Sequence, residues 1–403
     1  MMSLSSPFRT FRRADDGAVA LMFGISVIPL VLMAGAAIDY SRASREKTAI
    51  GVALDATGLA LAQDARTLTQ AQLAARGQAY FEAVYYAQKG VGSPVLTVAL
   101  DAATRRLTLS ASSAVPTTLM KLAGVTQVPV ASSSTVAFGT PKIEVALVLD
   151  NTGSMASLNK MVELQKAAKT FVDALAAKAT MTGEIKVSIV PFATQVRVSP
   201  TRAGEGWLSA APYAWNGCVA DRDQPWDVTS AAGATHPAVN CAASSLRPII
   251  GLTDVTATGA TTTLKTAIDA MTAGGATNFT VGLVWGMQTL TQNSPFTGAD
   301  AFGTDTRKFI VALTDGTNTQ NRWDGNGMSE SIPVNARTQA ACANLKAANN
   351  VTVYTIRVIN GNANLLRSCA SSPANYYEAA DAAQIQPAFQ KILDSILRIR
   401  LTM

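Results

Sequence analysis

Hydrophobic and polar positions follow three regimes along the chain. Residues 18–38 carry no charge over 21 positions; as a helix rising about 1.5 Å per residue they span roughly 30 Å, the hydrocarbon thickness of a bilayer. Pro29 lies inside this run, which a membrane helix tolerates. Residues 39–63 are alanine-rich and free of proline, predicting that the helix continues beyond the span. A second helix is predicted over 70–88, ended by Gly90, Gly92 and Pro94. Residues 95–100 and 106–110 then alternate apolar and polar, as half-buried strands do, across a short hairpin loop, and 128–138 reads as another strand. Between them, 116–123 reads as a short helix opened by Pro116 and closed by Gly124. These elements predict a small α+β domain over 39–140 that carries no chemical motif.

From 141 to 403 the pattern changes. Apolar runs at 143–149, 185–191, 308–314 and 351–358 predict strands buried on both faces. Helical patterns over 157–178, 262–272, 280–291, 335–348 and 382–400 alternate with them. That order predicts an α/β domain, a doubly wound and mostly parallel sheet with helices on both faces. Two insertions interrupt it. Residues 195–248 are rich in Pro, Gly, Trp and Ser, and 317–333 are polar with Gly325 and Gly327; loops this long are usually functional surfaces.

Composition narrows the function classes. Hydrophobic residues make up 48% and charged residues 15%, which fits a globular protein with a membrane segment rather than disorder. The net charge of +6 is spread without a basic run or a basic–aromatic stripe, so nucleic acid is not an expected partner. His236 is the single histidine, which removes zinc cages and Ser-His-Asp triads. There is no GxxxxGK[ST] and no G-x-S-x-G. The four cysteines, Cys218, Cys241, Cys342 and Cys369, form no CxxC; an even number without metal spacing favours disulfides in an oxidising compartment. The most local of the three connectivities pairs Cys218 with Cys241 and Cys342 with Cys369. Arg9, Arg12 and Arg13 precede the apolar span and Arg42, Arg45 and Lys47 follow it, so charge alone does not orient it. The cysteines place the large C-terminal part outside the cytoplasm and residues 1–17 inside. A retained anchor is the preferred reading of 18–38. Cleavage at the small-residue pattern Ala34-Gly35-Ala36 would instead release the protein, and prepilin-type cleavage after Gly17 lacks the glutamate expected to follow.

The candidate chemistry sits at strand ends. The first apolar run stops at Asp150, followed by Thr152, Gly153 and Ser154. Open α/β sheets bind ligands at that end of their strands. The run 309–313 likewise stops at Thr314-Asp315-Gly316, and Gly274-Gly275-Ala276-Thr277-Asn278 precedes a helix. Asp150, Thr152, Ser154, Thr277 and Asp315 offer oxygen only, suiting a hard cation such as Mg²⁺, or Mn²⁺ or Ca²⁺. Hydroxyl ligands add no charge, so the ion stays electron-poor and can take a partner's carboxylate as its last ligand. As alternatives, the two aspartates could be turn formers or helix caps. A dehalogenase-type phosphatase would want an aspartate where Thr152 stands. Trp207, Trp215, Trp226 and Trp323 lie in the insertions, as a binding rim or as loop packing.

The Asp150–Ser154 run, the Thr277 loop and the Thr314-Asp315-Gly316 turn together resemble the metal-ion-dependent adhesion site (MIDAS) of von Willebrand factor type A domains. The resemblance covers residue 142 to the C-terminus and implies that the hydroxyls of Thr152, Ser154 and Thr277 ligate the ion, with Asp150 and Asp315 binding directly or through water. Thr152 stands where that family more often has serine. The basic tail, Gly17, the apolar span with Pro29 and Ile38-Asp39-Tyr40 resemble the TadE/TadG-like proteins of the Tad (Flp) pilus system. Tyr354, Cys369 and Tyr376-Tyr377 fit the closing pattern of the same group. The combination implies a non-enzymatic protein, anchored in a bacterial inner membrane and exposed to the periplasm. It would assist pilus assembly or anchoring through pilus-assembly or other envelope proteins. An exported, adhesin-like binding protein released by signal cleavage is the alternative.

Overall fold

The structure is a computed structural model that describes residues 16–401 apart from 89, 91, 103, 140, 242–244, 304 and 348–350. The expected N-terminal tail therefore falls almost wholly outside the described residues. Two compact units are present, Met1–Gly139 and Thr140–Met403.

In the first unit α1 (Asp16–Asp64) is one uninterrupted helix of 49 residues. Leu21, Phe23, Ile28 and Met33 are exposed, whereas Ala43, Ile50, Leu54 and Leu61 are buried. The helix thus changes character near residue 40, and by length and composition it can cross a membrane. α2 (Gln70–Ala87) opens with a reciprocal capping box between Thr69 and Gln72, satisfying two N–H groups that a bare helix end leaves orphaned. β1 (Val95–Asp101), β2 (Arg106–Pro116) and β3 (Gln127–Ala137) form an antiparallel sheet in that order. Leu107, Leu109, Ala111 and Val115 alternate onto its buried face, the period-2 signature of a one-sided sheet. The short helix expected from Pro116 is smaller than the sequence predicts. Pro116 still belongs to β2, paired with Gln127, and only Met120–Ala123 forms a 3₁₀ turn, closed by Gly124 at φ +86°. β2 and β3 stay paired as far as Pro116 and Gln127, which leaves only residues 117–126 for the connection. The Asp39 carboxylate accepts the N–H groups of Thr118, Leu119 and Met120 at 2.8–3.0 Å, as a cap does for a helix start.

The second unit contains β4 (Lys142–Asp150), α3 (Lys160–Ala176), β5 (Ile185–Phe192), β6 (Val196–Arg197), β7 (Cys218–Val219), β8 (Ala238–Val239), β9 (Ile250–Asp254), α4 (Ala260–Asp269) and α5 (Phe279–Thr289). It continues with β10 (Thr306–Thr314), α6 (Ile332–Ala347), β11 (Val351–Val358), α7 (Ala363–Cys369), β12 (Tyr376–Ala379) and α8 (Ile385–Leu401). The main sheet runs β12-β11-β10-β4-β5-β9. All its pairs are parallel except β5 with β9. The four strands read from the sequence are its centre; the edges β9 and β12 and helix α7 were not anticipated. Side chains of β4 alternate between two cores. Val145, Leu147 and Leu149 pack with Phe171 of α3, Ile268 of α4 and Phe389 of α8. Ala146 and Val148 pack with Leu283 and Trp285 of α5 and Leu345 of α6. Two-sided burial is why these strands read as near-continuous apolar runs. β6, β7 and β8 make a small antiparallel sheet within the first insertion, stapled by Cys218–Cys241. Cys342–Cys369 ties α6 to α7.

Candidate metal centre

β4 and β10 are parallel neighbours, with Leu149 opposite Leu313, so their C-terminal ends deliver Asp150 and Asp315 side by side. Three loops are stitched together above these ends. Asn151 donates from Nδ2 to the carbonyls of Ser245 and Thr272 at 2.9 and 2.8 Å. Its own carbonyl accepts the Gly274 N–H at 2.8 Å, and Gly153 N–H donates to Gly275 O at 2.9 Å. Thr277 is then fixed from the other side: its N–H donates to the Thr319 hydroxyl at 2.9 Å, and its carbonyl accepts the N–H groups of Thr319 and Gln320. The 150–154 turn, the 272–277 loop and the segment after Asp315 thereby form one surface.

The side chains converge on it. Asp150 accepts the Thr152 N–H at 2.7 Å through Oδ1 and the Thr314 hydroxyl at 2.5 Å through Oδ2. Ser154 donates to Asp315 Oδ1 at 2.6 Å and lies 3.0 Å from the Thr152 hydroxyl. Thr277 stands beside Gly316, where an added Cβ would be 3.1 Å from Thr277 Oγ1 and 3.6 Å from Ser154 Oγ. A side chain at 316 would press on Thr277, so glycine eases the close approach of the three stations. The structure therefore joins Asp150, Thr152, Ser154 and Asp315 through one cluster of polar contacts and brings Thr277 to its edge. Asp150, Thr152, Thr277 and Asp315 are buried, while Ser154 is exposed and opens the cluster to solvent. Burial, and then the negative charge of Asp315, push the Asp150 carboxyl above its ordinary range, the signature of two carboxylates sharing a site.

One group was missed from the sequence. Lys160, the first residue of α3 and itself buried, pairs its ammonium with Asp315 Oδ2. A cation at a helix N-terminus opposes the helix dipole, and that mismatch was the available signal that an anion lies opposite. Thr319, which holds Thr277, has no such signal.

An oxygen-only set of two carboxylates and three hydroxyls fits a hard divalent ion. Hydroxyls can turn their lone pairs toward it by rotating the O–H, so Ser154 would release Asp315 Oδ1 as it did so. Among the described residues no group of three or more His, Cys, Asp or Glu side chains is arranged to hold a metal. His236 is buried in the first insertion against Trp207 and Trp285. Burial, helped by the Arg222 charge, holds it down to about 3, so it stays neutral and serves in packing.

Residues 233–391 match the von Willebrand factor type A domain family, and residues 17–64 match the Flp pilus-assembly TadE/G-like family. The chain has a TadG-like architecture. The type A match contains Thr277 and Asp315 but begins after Asp150, Thr152 and Ser154; β4 joins these to the rest by pairing with β10. No curated protein matches the chain. Similar solved structures include the pilus adhesin SpaC of Lactobacillus rhamnosus GG, 12% identical with a TM-score of 0.43 over 77% of this chain and 35% of SpaC. The chain thus corresponds to about a third of that protein's length. Another is the von Willebrand domain of the type V pilus tip protein Mfa5 of Porphyromonas gingivalis, 12% identical, TM-score 0.41, covering 65% of this chain and 97% of that domain. A third is proximal thread matrix protein 1 of the mussel byssus, with zinc in its MIDAS motif, 17% identical, TM-score 0.37, covering 64% and 46%.

Proposed function

We propose that this protein is a membrane-anchored component that assists assembly or anchoring of a Tad-type pilus. Its type A domain would recognise a protein partner through a divalent cation held by Asp150, Thr152, Ser154, Thr277 and Asp315. The observation that carries the reading is the convergence of those five side chains at the rim of a sheet whose chain also bears a TadE/G-like N-terminal segment. The domain plan follows: an inner tail over 1–17, a span over 18–38, a connector over 39–140 and the type A domain over 141–403. Retention of the span is supported by the TadE/G-like match, which covers residues 17–64 and so includes Ala34, Gly35 and Ala36. Placement of the type A domain in the periplasm is supported by its two disulfides, since such bonds persist in oxidising compartments. The partner would supply an acidic side chain to complete the ion's coordination. Mg²⁺ is the preferred ion, with Mn²⁺ or Ca²⁺ compatible with the same donors.

The test is co-purification of the membrane-extracted full chain with and without chelator. Partners that leave with chelator from the parent, and that Asp150→Ala fails to retain at all while its melting curve stays cooperative, support the reading. Partners held equally by parent and variant, whatever the chelator, overturn it.

A further inference from the structure

We propose that residues 117–126 of the membrane-proximal unit form a loop seated in the bilayer surface, with Leu122 and Val125 among the lipid chains and Lys121 among the headgroups. The proposal rests on the anchored reading of α1. It starts from where this loop is attached. The Asp39 carboxylate, one residue past the uncharged span, accepts the N–H groups of Thr118, Leu119 and Met120. Leu119 packs further down: a Cβ on Gly35 would meet Leu119 Cβ at 2.5 Å. Gly35 lies four residues, or about 6 Å along the helix, on the membrane side of Asp39. The loop therefore reaches below the end of the span rather than away from it.

Its surface and its main chain both fit that position. Leu122 is 71% exposed and Val125 39%, two apolar side chains left uncovered on a loop that is tied to the membrane end of α1. Lys121 beside them is exposed, and Arg42 donates to the Thr118 hydroxyl from the helix side; basic residues at this level suit anionic headgroups. Backbone entering lipid must satisfy its hydrogen bonds internally. Here Leu122 donates to Leu119 O, Gly124 to Lys121 O, Val125 to Met120 O and Thr117 to Thr126 O. The Thr117 hydroxyl donates to Val125 O, and the Asp39 carboxylate takes three further N–H groups. These bonds lower the cost of moving this stretch of main chain out of water.

Spin labels test this in the full chain, reconstituted into phosphatidylethanolamine–phosphatidylglycerol vesicles. The four native cysteines are paired, so Leu122→Cys, Val31→Cys and Tyr213→Cys each offer one reactive thiol. Collision with oxygen against a polar nickel chelate reads immersion. The expected oxygen-to-chelate ratio at Leu122 is within about twofold of Val31 in the span, and at least about fivefold above Tyr213 in the type A domain. A Leu122 ratio like that of Tyr213, with Val31 immersed, overturns the proposal and leaves the anchor standing. A Leu122 label shielded from both quenchers means that protein covers it, and also overturns the proposal. A Val31 label in water overturns the anchored reading itself, and the proposal with it.

Discussion

Replacing Lys160 by methionine should tighten divalent-ion binding at the type A rim. Lys160 and an ion compete for the same carboxylate, because its ammonium is paired with Asp315 Oδ2 while Ser154 holds Oδ1. Both partners are buried, so the pair cannot be treated as a weak surface bridge. Breaking a buried pair so that one charge is left uncompensated costs about 3–5 kcal/mol. Ion binding offsets part of that, since the ion neutralises Asp315 and water can hydrate a released ammonium. A penalty of about 1.4–2.8 kcal/mol then remains on binding, which is about ten- to a hundredfold in Kd. The assay is calorimetric titration of Mg²⁺ or Mn²⁺ into the detergent-solubilised full chain, parent against Lys160→Met. The expected result is a Kd lower by that factor. It should be accompanied by a lower melting temperature without ion, since Asp315 has lost its partner, and by a larger rise when ion is added. A variant that binds ion no better than the parent refutes the competition, and a variant that binds worse makes Lys160 a support of the site.

Other expectations concern the same unit. Lys308, buried at the opposite end of β10, bonds Glu144 Oε2 at 2.6 Å and the carbonyls of Leu290 and Asp300 at 2.8 and 2.6 Å. Lys308→Ala should cost about 3 kcal/mol in urea unfolding, the lower end for a broken buried pair, because Lys186 remains 3.2 Å from Glu144; a loss under about 1 kcal/mol would contradict the pairing. Replacing both Cys342 and Cys369 by serine opens a closure of 27 residues and should destabilise by about 3–4 kcal/mol, read as a lower thermal midpoint for the type A domain. Burial pushes Asp221 up to about 6, against the Asn278 amide and the Arg322 N–H. Its folded pKa thus exceeds the unfolded value. The stability it contributes is complete below about pH 4 and lost as pH rises through 6. Asp221→Asn should flatten that stretch of the stability–pH curve, and an unchanged slope would reassign it.

How much was legible depended on burial. β4, β5, β10 and β11 were readable because both their faces are covered, leaving few polar residues inside the runs. β9 was not: all five of its residues are half-buried, it carries Gly251, and it pairs antiparallel at an edge after a long insertion. β12 has four residues, too few for any period. α3 was expected at residue 157 but begins at Lys160, because Leu158 and Asn159 take left-handed φ of +57° and +58°; Asn159 tolerates that region, whereas Leu158 gives no sign of it. The five proposed ligands were visible as residue types at strand ends. Their mutual approach was not, since it depends on the Asn151 amide reaching the Ser245 and Thr272 carbonyls and on backbone bonds of Asn151, Gly153 and Thr277 to distant loops, which no local pattern announces.

The two ends of the sheet differ in charge, and that difference explains why the rim rather than the floor suits a cation. At the N-terminal end, Glu144 and Asp300 are faced by Lys142, Lys186 and Lys308. Each carboxylate there is outmatched, and Lys308 is also packed under the Phe302 ring. Glu144 and Asp300 are thus already neutralised by bonded ammonium groups. At the C-terminal end, among the described residues, Asp315 is paired with Lys160, while Asp150 has hydroxyl and amide donors and no cation bonded to it. A buried carboxylate without a counter-ion is costly, and the upward push on Asp150 expresses that cost. A divalent ion would relieve it. Lys160 balances Asp315 but not Asp150, so an ion proposed for this rim would find one carboxylate uncompensated and would have to displace an ammonium from the other.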